Sequence, residues 1–97
     1  MASYVCLANW TEKGIAAIKE SPSRLDGARK LFKDMGVELK DFYMTTGRFD
    51  MVLVVDAPDD ATLAKALLAQ GAKGSIRTET LRAYNEGEYR NIIGSLP

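Results

Sequence analysis

Apolar positions along this chain switch between strand-like alternation and helical spacing, and the order of the switches predicts an α+β architecture. Residues 3–10 set Tyr4, Cys6 and Ala8 on one side and Val5, Leu7 and Asn9 on the other. Both faces are therefore largely apolar, as in an inner strand. Thr11 is placed to cap a short turn carrying Ile15 and Ile18. Ser21 followed by Pro22 then reads as an N-cap with proline at the first helical position. Leu25, Ala28, Leu31, Phe32 and Met35 follow at helical spacing, and Gly36 suits a left-handed C-terminal residue. The spacing predicts a helix over residues 22–35.

Residues 37–45 and 48–57 are strand-like runs, and Thr46-Gly47 between them predicts a two-residue hairpin turn. Pro58, Asp59 and Asp60 open a second helix with an apolar stripe of Leu63, Ala64, Leu67 and Leu68, closed at Gly71. Residues 75–84 make a fourth strand. Asn85 and Glu88 then form a capping-box pair ahead of a terminal amphipathic helix carrying Tyr89, Ile92, Ile93 and Leu96. No repeat or linker interrupts this order, so residues 1–97 are expected to form one domain. The order is βαββαβ plus a C-terminal helix: a ferredoxin-like fold, with two helices on one face of a four-stranded antiparallel sheet.

The third strand carries Phe49, Met51, Leu53 and Val55 on one side and Val52 with Val54 on the other. Two helices bury only one of those sides. An exposed strip of Val52, Val54, Leu39 and their first-strand neighbours predicts self-association into a dimer or larger homo-oligomer.

A two-residue turn would pair Thr45 with Arg48, Met44 with Phe49, Tyr43 with Asp50 and Phe42 with Met51. Phe42, Met44, Phe49 and Met51 would then face the core, and Tyr43, Thr45, Arg48 and Asp50 would share the opposite face with Val52 and Val54. There Asp50 can accept a proton or anchor a ligand hydroxyl, Tyr43 can donate a hydrogen bond, and Arg48 can clamp an anionic group. Trp10 offers a stacking surface. Each also has a plain structural role: Asp50 holding turn backbone or pairing with Arg48, Tyr43 packing at a subunit seam, Trp10 as a lid on the core. No residue declares itself catalytic.

Thirteen basic and thirteen acidic residues cancel, and they intermingle along the chain. No field attracts phosphate backbones or anionic lipid, so neither nucleic acid nor membrane is an expected partner. The chain has no histidine and one cysteine. Cys/His zinc clusters, Ser/His triads and histidine-ligated haem are thereby excluded, and no cofactor or metal site is expected. Cys6, between Val5 and Leu7, reads as a small buried hydrophobe. Without a charged n-region or an apolar stretch of membrane-spanning length, the expected compartment is the cytoplasm.

With these residues located, the chain resembles the GYD domain family along nearly its whole length. The resemblance rests on Tyr4-Val5, Asn9-Trp10-Thr11 before Gly14-Ile15, Ser21-Pro22 with Arg24-Leu25, and Phe42-Tyr43 leading to Gly47-Arg48-Phe49-Asp50. It continues through Ala57-Pro58-Asp59-Asp60 and the run from Ile76 to Ala83. The family turn commonly reads glycine, any residue, tyrosine, aspartate; Phe49 stands in the tyrosine place and removes that phenol. The resemblance implies a dimeric α/β-barrel and no particular reaction.

Three functions follow as expectations. The first is a small homo-oligomer that binds a small molecule in the barrel interior between subunits, beside Tyr43, Arg48 and Asp50. The second is a cofactor-independent monooxygenase-like or isomerase-like enzyme with Asp50 as base. The third is a structural unit of a larger self-assembly built through the terminal helix, which otherwise covers its own sheet edge.

Overall fold

The computed structural model describes residues 1–97. Strand β1 (Ala2–Trp10) is followed by a short helix α1 (Glu12–Ala16) and, after a single 3-10 turn at Ile18–Glu20, by helix α2 (Ser21–Asp34). Strands β2 (Glu38–Met44) and β3 (Met51–Ala57), helix α3 (Asp60–Gly71), strand β4 (Ile76–Ala83) and helix α4 (Glu86–Gly94) complete the chain. The sheet order is β2-β3-β1-β4, all antiparallel, which is the ferredoxin-like arrangement. No helix is long and apolar enough to cross a membrane.

The helix signals act largely as their chemistry requires. The Thr11 hydroxyl accepts the Gly14 N–H at 3.1 Å and caps α1. Gly36 takes φ +82° and ends α2, a conformation that side-chain-bearing residues resist. Asp59 caps α3 by accepting the Thr62 N–H at 2.7 Å, and Asn85 with Glu88 forms a complete capping box for α4. Ser21 departs from expectation. It is the first residue of α2, its N–H bonds to the Ile18 carbonyl of the preceding 3-10 turn, and its side chain caps nothing.

The same Asp59 cap ties stability to pH. The hydrogen bond from the Thr62 backbone holds the Asp59 carboxyl below the usual carboxylate range. A depressed folded-state pKa contributes stability above the unfolded value, and that contribution is lost as pH falls through the folded one. Asp59→Asn keeps the capping oxygen but cannot titrate. Its urea midpoint should drop less than the parent's between pH 7 and pH 3, and equal drops would show that other groups govern acid sensitivity.

The core lies between the sheet and helices α2 and α3. Tyr4, Cys6 and Ala8 of β1 and Met51, Leu53, Val55 and Ala57 of β3 meet Phe32 and Leu63 there. Cys6 is buried, and burial pushes its thiol pKa up, so it stays a protonated apolar side chain.

Two expectations about β2 are corrected. First, Leu39 is 6% exposed and belongs to the core, not to the open strip. The pairing skips between Leu39 and Asp41, a bulge at Lys40 that resets the alternation and turns Leu39 inward opposite Val55. Second, the hairpin turn is not two residues long. Met44 pairs with Met51, Tyr43 with Val52 and Phe42 with Leu53, leaving residues 45–50 as a loop. This register lies two residues from the expected one, and an even shift keeps every side chain on its face. Phe42 and Met44 still point to the helix side, but the helices do not reach Met44, which is exposed. Phe49, in the loop, is half-buried.

Candidate functional site

The loop opens because Asp50 pairs with β1 rather than with Tyr43. The Asp50 N–H is shared between the Ala8 carbonyl and the Asn9 Oδ1, both at 3.0 Å. In return Asp50 Oδ2 accepts the Trp10 N–H at 3.0 Å. The loop is closed from its other end by Thr45, whose N–H donates to the Asp50 carbonyl at 2.8 Å and whose hydroxyl donates to the Phe49 carbonyl at 2.6 Å. Gly47 supports this path with φ +138°, a region closed to most side chains. Five bonds to β1 and within the loop thus outweigh the single closing turn of a tight hairpin.

A second set of contacts continues from Trp10. The Thr11 N–H donates to the Ser75 carbonyl at 3.0 Å, and the Thr11 hydroxyl donates to the Gly74 carbonyl at 2.6 Å. Arg24 reaches from α2 to the carbonyls of Ala17 and Gly14 at 2.9 and 3.0 Å. Asn9, Trp10 and Thr11 therefore form a hub that gathers the 45–50 loop, the α1 turn and the connection into β4.

The four expected ligand contacts do not converge. Tyr43 is on the open face of the sheet and 60% exposed, beside Val52. Arg48 is exposed in the loop, its guanidinium 5.4 Å from the Phe49 ring. The Asp50 carboxylate is engaged with the Trp10 backbone on β1 rather than with turn backbone, and no ion pair joins it to Arg48. Trp10 packs against the core on the helix side, the opposite face from Tyr43. None of the clefts on this chain is lined by Tyr43, Arg48 or Asp50.

What the open face does present is an apolar surface. Across the four strands the register aligns Tyr43, Val52, Leu7 and Glu79 in one row and Asp41, Val54, Val5 and Leu81 in the next. No helix covers these rows. Val5, Leu7, Val52 and Val54 are half-buried only by their neighbours, and Leu81 is exposed. Charged Glu79 and Asp41 stand at opposite edges, an apolar centre with a polar rim.

One cluster on the helix side was not anticipated. Tyr4 donates its hydroxyl to Asp60, which pushes the Tyr4 phenol pKa up, and Arg82 stacks 5.6 Å from the Tyr4 ring and 4.4 Å from the Tyr84 ring. The legible signal was Tyr4 itself, since a tyrosine on a buried strand face requires a partner for its hydroxyl.

The GYD domain model matches residues 4–93. The chain belongs to the GYD domain family. A Thermus thermophilus relative of this GYD domain, named glutamine synthetase and cystathionine beta-lyase binding protein, is 34% identical over 84 residues. The alignment covers 86% of this chain and 88% of the relative. Among solved structures, the crystal structure of MtbAldR superposes with a TM-score of 0.69 at 17% identity over 88% of this chain. This GYD domain spans about half of that protein, 52% of its chain. An ACT domain protein from Streptococcus pneumoniae matches at a TM-score of 0.51 and 15% identity, over 100% of this chain and 98% of that one. At such identities the two structures establish the α+β fold of the GYD domain and nothing about its ligands.

Proposed function

We propose that this GYD domain is a non-enzymatic binding protein: a homo-oligomer assembled through its open sheet face, which in that form binds other proteins, metabolic enzymes among them. The observation that carries this reading is the uncovered apolar centre of Val5, Leu7, Val52, Val54 and Leu81. Each such side chain buried is worth about 1.5–3 kcal/mol, enough in sum to outweigh the cost of association. Two sheets packed face to face would make the dimeric α/β-barrel of the resemblance. Tyr43, on the same face, is a proposed contact for a small molecule held between them, with Arg48 at its margin. The enzyme-binding part is supported by the name of the Thermus relative.

Helix α4 supports a partner too. It buries none of its own residues, and Tyr89, Ile92, Ile93 and Leu96 are all exposed. The radius of gyration is 14.6 Å, against about 13 Å for a chain of this length folded on itself. An apolar helix face that its own domain leaves uncovered fits docking on a neighbouring subunit.

Native mass spectrometry of the full chain should show a dimer or larger, and a monomer at micromolar concentration would overturn the assembly. Truncation after Asn85 should lower the subunit count or weaken the oligomer at least tenfold. Immobilised oligomer should retain glutamine synthetase or cystathionine beta-lyase from the same host; retention of neither would remove the enzyme-binding part alone.

A further inference from the structure

The helix side of the sheet carries a feature that the sheet-face reading does not use. Gln70 of α3 is 5% exposed, and its Oε1 has no hydrogen-bond partner among the protein's own atoms. Leaving a buried carbonyl unpaired costs free energy, so such an atom needs an explanation. Gln70 lines a small internal cavity of about 40 Å³, together with Ala8, Ala28, Met51 and Ser75. That cavity adjoins a wider cleft of about 290 Å³ between β2, the 3-10 turn and α2, walled by Trp10, Ile18, Pro22, Leu25, Phe42 and Met44. Trp10, Ser21, Leu25 and Phe42 line both spaces.

The chemistry of the walls defines an occupant. The mouth is apolar, with the exposed Met44 and Ile18 at its edge and the Trp10 and Phe42 rings within. Its volume is near the lower limit for small-molecule pockets, about 300 Å³, so a single ring fits and an extended cofactor does not. At its inner end stands the Gln70 amide, whose side chain makes no hydrogen bond within the protein and calls for a polar group. Arg24 also lines the inner space, but its guanidinium is engaged with the Gly14 and Ala17 carbonyls and leaves no call for an anion. We infer that this cleft binds a small neutral aromatic molecule that carries one hydroxyl group, with the ring between Trp10, Leu25 and Phe42 and the hydroxyl at the Gln70 amide.

The discrimination follows from the unpaired acceptor. A ligand with a hydroxyl satisfies Gln70, whereas the same ring with a methyl group leaves the carbonyl buried and unpartnered. The ¹⁵N-labelled full chain titrated with phenol should show saturable amide shifts at Trp10, Leu25, Phe42 and Gln70, and toluene should bind the same residues roughly tenfold more weakly. Gln70→Leu keeps the side chain's size without the acceptor, so it should bind both probes with a ratio near one. Three results would overturn the site: no saturable shift, equal affinity of the parent for phenol and toluene, or shifts confined to the open face at Val5, Leu7 and Val54. A phenol preference that survives intact in Gln70→Leu would reject Gln70 as its source. Should Gln70→Leu fail to fold, the parent's phenol-to-toluene ratio and the location of the shifts still decide.

Discussion

Gly14→Ala is expected to be among the most damaging single-methyl substitutions in this chain. An added Cβ would lie 2.1 Å from the Ser75 carbonyl oxygen and 3.0 Å from its carbon, both backbone atoms. Alanine favours the helix over glycine by about 1 kcal/mol, which alone would stabilise α1. The overlap works against it and wins, because Ser75 cannot withdraw. Its carbonyl accepts the Thr11 N–H at 3.0 Å, and the adjacent Gly74 carbonyl accepts the Thr11 hydroxyl. Moving that strand of backbone would break the hub that also receives Asp50. Overpacking against a fixed wall costs about 3 kcal/mol at the upper end of its usual range, which for a domain of this size lowers the melting temperature by roughly 10–20 °C. Gly27→Ala is the matched control. Gly27 is exposed on α2 and an added Cβ there meets nothing, so the same methyl should stabilise by about 0.5–1 kcal/mol. Thermal unfolding followed by circular dichroism reads both, and a Gly14→Ala melting point within a few degrees of the parent would refute the close packing at Ser75.

The contrast between these glycines shows what sequence pattern conveys. Helix ends, strand order and the two-faced character of β3 are local or periodic properties, and Thr11, Gly36, Asp59 and Asn85 act as caps or closures as their residue types require. Gly14 gives no local sign of its role, because its constraint comes from Ser75, sixty-one positions away along the chain. The 45–50 loop failed for the same reason. Thr46-Gly47 is a good hairpin turn considered alone, but Asp50 is claimed by Asn9 and Trp10 on a strand that only the folded sheet brings alongside. Leu39 depended on a bulge, which alternation cannot announce. At the candidate site, opposite strand parity sends Tyr43 and Trp10 to opposite faces of the sheet. Gln70 lies on the buried face of α3 with Leu63 and Ala66, not on the expected stripe that ended in the exposed Leu68, and was legible as an anomaly only once its burial was known.

Val52→Lys is expected to dissociate the proposed assembly while leaving the domain folded. Val52 sits in the middle of the open face, between Tyr43 on β2 and Leu7 on β1. In a single chain that position is only half-buried, so a lysine stem can lie along the sheet with its ammonium in water, and the fold should lose about 1 kcal/mol or less. In a face-to-face pair the same ammonium is enclosed, and in a two-fold arrangement both subunits contribute one. Glu79 lies in the same row but across the width of β1, and Asp41, diagonal to position 52, stands exposed at the outer edge of the sheet, so neither is an enclosed counter-charge. An enclosed charge without a partner costs several kcal/mol, which converts to at least a hundredfold weaker association. Val52→Thr, nearly the same shape, should weaken association far less. Sedimentation velocity over a concentration series, with circular dichroism on the same samples, separates the possibilities. Folded monomer for Val52→Lys supports the sheet face as the assembly surface. An unchanged mass would place the contacts elsewhere, with α4 the remaining apolar surface, and would withdraw the face-to-face barrel.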